Sequence, residues 1–340
     1  MNMNTINPAS LRSLRLLCVL ACTASFLHAA DAVPAAGGQA PGIPAGARGG
    51  PGGRGAGLAL GAQGGGRGRG GPVVIGPAAP VPAAVAISRP TEAEIAQAND
   101  ALKRFSTSDS TAKALLAKYP SLISVQPPRT NPAATFTQTQ QRMGTRHEGF
   151  VEIAKKGDID LLFDGDSITD FWGTTGKAVF DQYFGGMKVA NFAISGDTTQ
   201  GVLWGLKNGE GQGFSPKAIM LMIGTNNTGS STGPEIAEGV GATVLELRKD
   251  FPNAKILLLA IFPRGTGPTD ANRLKNIEAN KIFAKLHDNK NVFYLDIGDK
   301  FLLPDGTISR DIMGDQLHPT AAGYEIWAAA VKDKLAELMK

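Results

Sequence analysis

The chain has 340 residues, and its 34 Lys and Arg against 30 Asp and Glu give a net charge of +4. That excess comes from the first 90 residues, which hold seven arginines and only one acidic residue. The remainder of the chain is therefore slightly acidic and lacks the basic footprint of a nucleic-acid-binding domain. We exclude nucleic acid as a partner of the folded part.

The N-terminus has the pattern of a secretory signal peptide. Arg12 and Arg15 precede an apolar run at 16–22, and the small residues near 30–32 offer a cleavage site. The apolar run is shorter than the ~20 residues that a membrane span needs. We therefore predict a signal peptide over residues 1–32, no membrane span, and a secreted or periplasmic location. Lipoprotein processing at Cys22 is the alternative.

The cysteines and histidines limit the chemistry that the mature chain can perform. Both cysteines, Cys18 and Cys22, lie in the predicted leader, so no disulfide, thiol nucleophile or thiolate metal site is expected afterwards. His147, His287 and His318 are scattered and show no metal-ligand spacing. We predict neither a metal site nor a cofactor. His147 is expected to anchor the segment that enters the domain, and His287 to lie on the surface.

Two segments separate the leader from the main domain. Residues 33–90 are mostly Gly, Ala and Pro, with five arginines as their only charges. Such a segment cannot bury enough apolar surface to offset the entropy lost on ordering, so a disordered linker is predicted. Thr91 and Glu94 form a capping box, which predicts a helical extension over residues 91–144. We expect this extension to pack on the main domain, and binding of a partner is the alternative.

From residue 145 onward, apolar runs of strand length alternate with amphipathic stretches of helix length. Ile236, Val240, Val244 and Leu247, for example, share one face of a helix. Alternation of strand and helix is typical of a parallel sheet covered by helices on both faces. Residues 145–340 are therefore predicted to form one α/β domain, with five strands at 161–163, 189–193, 218–223, 256–261 and 292–295.

Polar segments follow the predicted strands, at the sheet edge where open α/β proteins bind ligands. They contain Ser167, Gly196 and Asn226, while Asp315 and His318 precede the last helix. Acyl transfer needs a nucleophile, a base, a group that orients the base, and donors for the oxyanion. Ser167, His318 and Asp315 can fill the first three roles. The backbone N–H groups of Ser167 and Gly196 and the amide of Asn226 can supply the donors.

These blocks resemble the SGNH (GDSL) hydrolases in type and order, over residues 145–340. The similarity is strongest to the branch that contains the catalytic subunits of platelet-activating-factor acetylhydrolase type IB and related bacterial esterases. The resemblance implies a flavodoxin-like three-layer α/β/α sandwich, no metal, and the roles just given for the nucleophile, the acid–base pair and the oxyanion donors. It is carried by residues 165–167, 191–199, 202–204, 224–227, 263–265 and 315–318.

The resemblance also implies a short acyl pocket closed by Ile168, Thr225 and Leu317. These side chains are at least medium-sized, which favours acetyl or another short acyl group. One position departs from the branch, because the residue after Trp204 is commonly basic there and is Gly205 here. Inherited recognition of an anionic or polar substrate group is therefore not expected.

Several alternatives remain open. Gly229-Ser230-Ser231-Thr232-Gly233 matches G-x-S-x-G, but Ser231 lies in a predicted loop rather than in a tight strand-to-helix turn. The preferred function is a secreted serine esterase that removes short acyl groups from carbohydrate or another small ester. A lysophospholipase-like lipid hydrolase and a non-catalytic binding protein on the same fold are the alternatives. The alcohol half of the substrate and the oligomeric state are not determined by the sequence.

Overall fold

A computed structural model describes residues 74–108, 110–119 and 124–340. The predicted signal peptide and most of the predicted linker lie outside these residues. Five strands form one parallel sheet, as predicted, and their order in the sheet is β2-β1-β3-β4-β5. The strands are β1 (Leu161–Gly165), β2 (Val189–Asn191), β3 (Ala218–Met222), β4 (Lys255–Leu259) and β5 (Val292–Leu295).

The helices cover both faces of the sheet, which confirms the predicted three-layer α/β/α architecture. The first two helices of the described chain are α1 (Glu92–Ser108) and α2 (Ser110–Leu116). The others are α3 (Thr145–Lys156), α4 (Ser167–Asp170), α5 (Lys177–Phe184), α6 (Thr199–Gly205), α7 (Gly233–Asp250), α8 (Ala271–Phe283) and α9 (Ala321–Leu338). Among the described residues, no helix combines the length and the apolar character needed to span a membrane.

Each face of the sheet buries its own hydrophobic cluster. Alternate strand residues such as Leu162 and Ile219 point to one cluster, which α3, α6, α7 and α8 cover. Their neighbours Leu161 and Ala218 point to the other cluster, which α5 and α9 cover. This division follows from the alternation of side chains along a strand. Because both faces are covered, the strands read as nearly continuous apolar runs.

The aromatic residues of the second cluster fix the start of α4 against α9. Trp172 contacts Tyr324 and Trp327, with ring centroids 4.5 and 5.0 Å apart. The hydroxyl of Tyr324 donates to the carbonyl oxygen of Ile168 at 2.6 Å. The first turn after β1 is thus held from below by the last helix of the fold.

Residues 74–90 correct the predicted extent of the linker, because they pack on the domain instead of remaining separate from it. Ala79 donates its N–H to the carbonyl oxygen of Ala134 at 2.8 Å. Val85 is only 3% exposed and belongs to the first core cluster. It fits against Gly241 of α7, where an added methyl group would come within 2.5 Å of Val85 Cγ2. We call residues 74–90 the N-terminal strap.

Residues 131–142 also differ from the prediction of a helical extension. Apart from a short 3₁₀ turn at Pro132–Ala134, they are not helical, and their polar side chains enter the domain. Asn131 is 4% exposed and caps that turn, while Arg142 is fully buried. The domain therefore begins to pack well before the predicted boundary at residue 145.

Candidate active site

The candidate site lies where the direction of strand order reverses, between β1 and β3. The chain leaves β1 towards β2 on one side, and β3 to β5 extend on the other. Loops that follow these two strands diverge, which opens a crevice beyond their carboxyl ends. Ser167 follows β1 and Asn226 follows β3. The topology alone thus brings these two predicted residues to one crevice.

Ser167 is the first residue of α4, and Asp166 holds it there. The Asp166 side chain caps the helix by accepting the Ile168 N–H at 3.0 Å. Burial raises the pKa of Asp166 to about 7, against the opposing effect of that hydrogen bond. Ser167 is only 6% exposed, so little of it is open to solvent.

Ser167, His318 and Asp315 form a continuous hydrogen-bonded chain. Ser167 Oγ lies 2.8 Å from His318 Nε2, and His318 Nδ1 lies 2.6 Å from Asp315 Oδ2. The second carboxylate oxygen of Asp315 accepts the backbone N–H groups of Leu317 and His318 at 3.0 and 2.7 Å. Burial alone would raise the pKa of Asp315, but these hydrogen bonds outweigh it and hold the pKa below its ordinary value. Asp315 therefore stays ionised beside the imidazole.

Of the three predicted oxyanion donors, Ser167 begins α4, and the other two lie in the loops after β2 and β3. Gly196 has φ of +80°, a left-handed conformation that glycine adopts without strain. The Asn226 side chain donates one N–H to the carbonyl oxygen of Asp197 at 2.8 Å, which ties it to the residue after Gly196. The side chain of Asn227 instead bonds to Thr199 and Gln200 of α6.

The three predicted acyl-pocket residues have different surroundings. Ile168 is fully buried in the second core cluster, and Leu317 is partly buried against the same cluster. Thr225 is 1% exposed, and its hydroxyl accepts hydrogen bonds from Arg264 at 3.1 Å and Asn276 at 3.2 Å. That these three close one acyl pocket stays a prediction.

A buried charge cluster beneath Gly196 was missed by the sequence reasoning. The guanidinium of Arg142 contacts Asp197 through Nε at 2.6 Å, Asp164 through Nη2 at 3.4 Å, and Glu210 through Nη1. His147 Nδ1 lies 2.7 Å from Glu210, so its predicted anchoring role has a specific partner. The spacing of these residues along the chain gives no motif, and only their fully buried charges reveal the cluster.

The same cluster explains why residue 205 is glycine here, where the similar branch commonly has a basic residue. A Cβ on Gly205 would lie 2.5 Å from Glu210 Oε2 and 2.7 Å from Arg142 Nη1. The space beside the helix is thus already filled by the buried ion pair. Glycine at this position accommodates Arg142, which belongs to the segment before α3.

Ser231, the rival nucleophile, and His287, the predicted surface histidine, take no part in this chain of hydrogen bonds. Ser231 is 3% exposed in the loop just before α7, where Thr232 is the N-cap. His287 follows the 3₁₀ turn after α8 and bonds to Asn289 at 2.8 Å. Within the described parts of the chain, no group of three or more His, Cys, Asp or Glu side chains has the arrangement of a metal site.

Comparison with known proteins gives consistent matches. Residues 163–326 match the model of the GDSL-like lipase/acylhydrolase family. Platelet-activating factor acetylhydrolase IB subunit alpha2 of Gallus gallus is 36% identical over 209 residues, which cover 61% of this chain and 90% of that protein. Subunit alpha1 of Rattus norvegicus is 33% identical over 215 residues, 62% of this chain and 91% of that protein.

A solved structure of a proposed platelet activating factor from Streptococcus pneumonia has 21% sequence identity and a TM-score of 0.49. It matches 67% of this chain and 100% of its own length.

The fold, the family model and the curated relatives together define the class as a hydrolase built on a parallel α/β/α sandwich. The chain belongs to the GDSL-like lipase/acylhydrolase family. It is a carboxylic ester hydrolase, as the sequence predicted.

Proposed function

We propose that this chain is an exported serine esterase that removes acetyl or other short acyl groups, with Ser167 as its nucleophile. The observation that carries the proposal is the unbroken hydrogen-bonded chain from Ser167 through His318 to Asp315. An alcohol is a weak nucleophile at neutral pH, and a neutral imidazole at 2.8 Å can take its proton as it attacks.

The proposed reaction proceeds through an acyl-enzyme. Ser167 Oγ attacks the ester carbonyl carbon while His318 Nε2 takes the hydroxyl proton, and the oxyanion forms facing Gly196 and Asn226. His318 then returns the proton to the leaving alkoxide as the C–O bond breaks. In the second half, His318 takes a proton from water, the hydroxide attacks the acyl carbon, and Ser167 leaves with that proton. Asp315 stabilises the imidazolium in both halves.

Two observations support a short acyl group. Ile168 and Leu317 are medium-sized apolar residues that adjoin Ser167 and His318 in sequence, and both pack in or against the second core cluster. The relative that is 36% identical is named an acetylhydrolase. Export rests on the N-terminal leader pattern alone. Carbohydrate or another small ester is the proposed substrate.

The test compares two serines on p-nitrophenyl esters of two, four, eight and twelve acyl carbons. Ser167→Ala should lower kcat by at least about 10³-fold, on the scale of other serine-hydrolase triads. Ser231→Ala is the matched control and should stay near wild type. The rate should fall with acyl length. An active Ser167→Ala variant would refute the nucleophile, and a preference for twelve carbons would favour a lipid substrate instead.

A further inference from the structure

A turn over residues 139–142 is fastened against the loop that carries Gly196. The turn is closed by the Arg142 N–H, which donates to the carbonyl oxygen of Thr139 at 3.1 Å. Both ends of the turn then bond to the Asp197 carboxylate. Thr139 Oγ1 donates to Oδ1 at 3.0 Å, and Arg142 Nε donates to Oδ2 at 2.6 Å. Asp197 directly follows Gly196, so the turn has a fixed position relative to the predicted oxyanion donor.

Gln141 lies inside this turn and places its amide beside Gly196. A Cβ built on Gly196 would be 3.3 Å from Gln141 Nε2 and 3.9 Å from its Cδ. The side chain is half-buried. Its neighbour Gln140 is exposed. Among the described residues, the Gln141 amide makes none of the hydrogen bonds that hold the rest of the turn.

A half-buried amide beside a reaction site is suited to bind a ligand. The group offers two N–H donors and one carbonyl acceptor, and leaving such groups partly desolvated and unpaired costs free energy. A hydroxyl group both donates and accepts, so it can pair with the amide in either direction. An alkyl chain would leave the amide unpaired, and a charged group would find no opposite charge on it.

We propose that Gln141 is a substrate-binding residue that hydrogen-bonds a hydroxyl group on the alcohol half of the ester, as in a partly acetylated sugar. This inference rests on the proposed function, because it takes the crevice at Ser167 as the reaction site. It assigns recognition of this substrate class to Gln141. That residue lies outside the motif blocks, and the turn at 139–142 positions it beside the site.

The test uses two acetate esters that differ in their alcohol half. The alcohol half of 6-O-acetylglucose carries free hydroxyl groups, and that of p-nitrophenyl acetate carries none. Gln141→Ala should lower kcat/KM on 6-O-acetylglucose about 5- to 10-fold, the effect of one lost hydrogen bond, and mainly through a higher KM. On p-nitrophenyl acetate its kcat/KM should stay within about twofold of wild type. Gln140→Ala is the matched control and should change neither.

Three outcomes would overturn the inference. Equal loss on both esters would show that Gln141 only supports the loop at Gly196. No loss on either would show that its amide does not contact the substrate. A wild-type enzyme that hydrolyses p-nitrophenyl acetate through Ser167 but not 6-O-acetylglucose would reject the substrate class while leaving the serine esterase intact. Failure of Ser167→Ala to lose activity would instead reject the proposed function.

Discussion

Asn226 uses one of its two side-chain N–H groups to fix its own position and can direct the other at the substrate. The fixed N–H donates to the Asp197 carbonyl oxygen at 2.8 Å. Charge on the substrate oxygen grows only towards the tetrahedral intermediate, so such a donor stabilises the transition state more than the ground state. Asn226→Ala should therefore lower kcat by about 10²–10³-fold with little change in KM. Steady-state kinetics on p-nitrophenyl acetate measures both.

Asn227 provides the matched control, because the same residue type sits one position further on. It is 1% exposed, and its side chain accepts the Thr199 N–H at 3.1 Å at the start of α6. Asn227→Ala should lower the melting temperature, while the kcat of the folded fraction stays near wild type. If Asn226→Ala shows that pattern instead, Asn226 holds the turn and is not an oxyanion donor.

At the scale of single residues, the sequence predicted those site residues that are close to one another, or to a strand, along the chain. Asp315 and His318 are three positions apart. Ser167 follows Asp166, the N-cap of α4, which itself follows the last residue of β1. Their order along the chain was therefore enough to predict all three. Arg142 was not predicted, since its partners Asp197 and Glu210 lie 55 and 68 residues away. A buried ion pair between distant segments leaves no periodic pattern in a single sequence.

The N-terminal strap is an element whose attachment depends on one buried carboxylate of α7. Glu238 has a side chain only 1% exposed, and it accepts the Ile87 N–H at 2.7 Å and the Asn131 amide at 2.9 Å. Arg89 adds a two-pronged ion pair, with N–O distances of 2.6 and 2.7 Å. The strap is thus held by charge at one end and by Val85 in the core nearby.

We expect Arg89→Ala to loosen the strap and destabilise the domain. Removing Arg89 leaves the buried Glu238 carboxylate without its ion-pair partner, with only the Ile87 N–H and the Asn131 amide still bonded to it. Breaking a fully buried pair in this way costs about 3–5 kcal/mol. Because Arg89 is 34% exposed, we expect about 1–3 kcal/mol, or a melting temperature lower by about 3–10 °C. Thermal unfolding followed by circular dichroism measures this change in melting temperature.

Arg104 serves as the control, since it makes the equivalent ion pair on the surface of α1. Its side chain is 80% exposed and its partner Asp100 is 66% exposed. Arg104→Ala should change the free energy of unfolding by no more than about 0.5 kcal/mol. Equal effects of the two substitutions would mean that the strap contributes no more than an ordinary surface contact.

At the element scale, periodicity predicted the strands and the main helices but not the strap. Ten of its 17 residues are Pro, Ala or Gly, a composition that by itself predicts a linker. What orders it is a complementary surface on α7, where Gly241 leaves room for Val85 and Glu238 receives Arg89. That complementarity joins positions some 150 residues apart in sequence, as the separations of 151 and 149 residues show.

For the molecule as a whole, the buried carboxylates make stability depend on pH. Burial raises the pKa of Asp164 to about 7, even though Arg142 favours its charged form. An acid with a raised pKa stabilises the fold while it is protonated. That contribution is complete below the ordinary carboxyl pKa of about 4 and is lost as pH rises through about 7.

Asp164→Asn should remove this pH dependence. The Asp164 Oδ1 atom accepts the Gly165 N–H at 2.8 Å, and Oδ2 has no hydrogen-bond partner in the described structure, so an amide can occupy the same place. The melting temperature of the variant relative to wild type should therefore rise between pH 5 and pH 8. A constant difference in melting temperature between the variant and wild type across that pH range would show that Asp164 does not titrate within it.

The separation of Ser167 from His318 has a consequence for how activity arises during protein synthesis. The two residues that share the 2.8 Å hydrogen bond are 151 positions apart, and every strand after β1 lies between them. A ribosome therefore exposes the serine long before the histidine exists. On the proposed mechanism, the serine has no base and remains an ordinary hydroxyl until the segment with Asp315 and His318 emerges and α9 packs beneath α4. The proposal therefore implies that the growing chain cannot act on cellular esters before His318 has been synthesised and has folded into place.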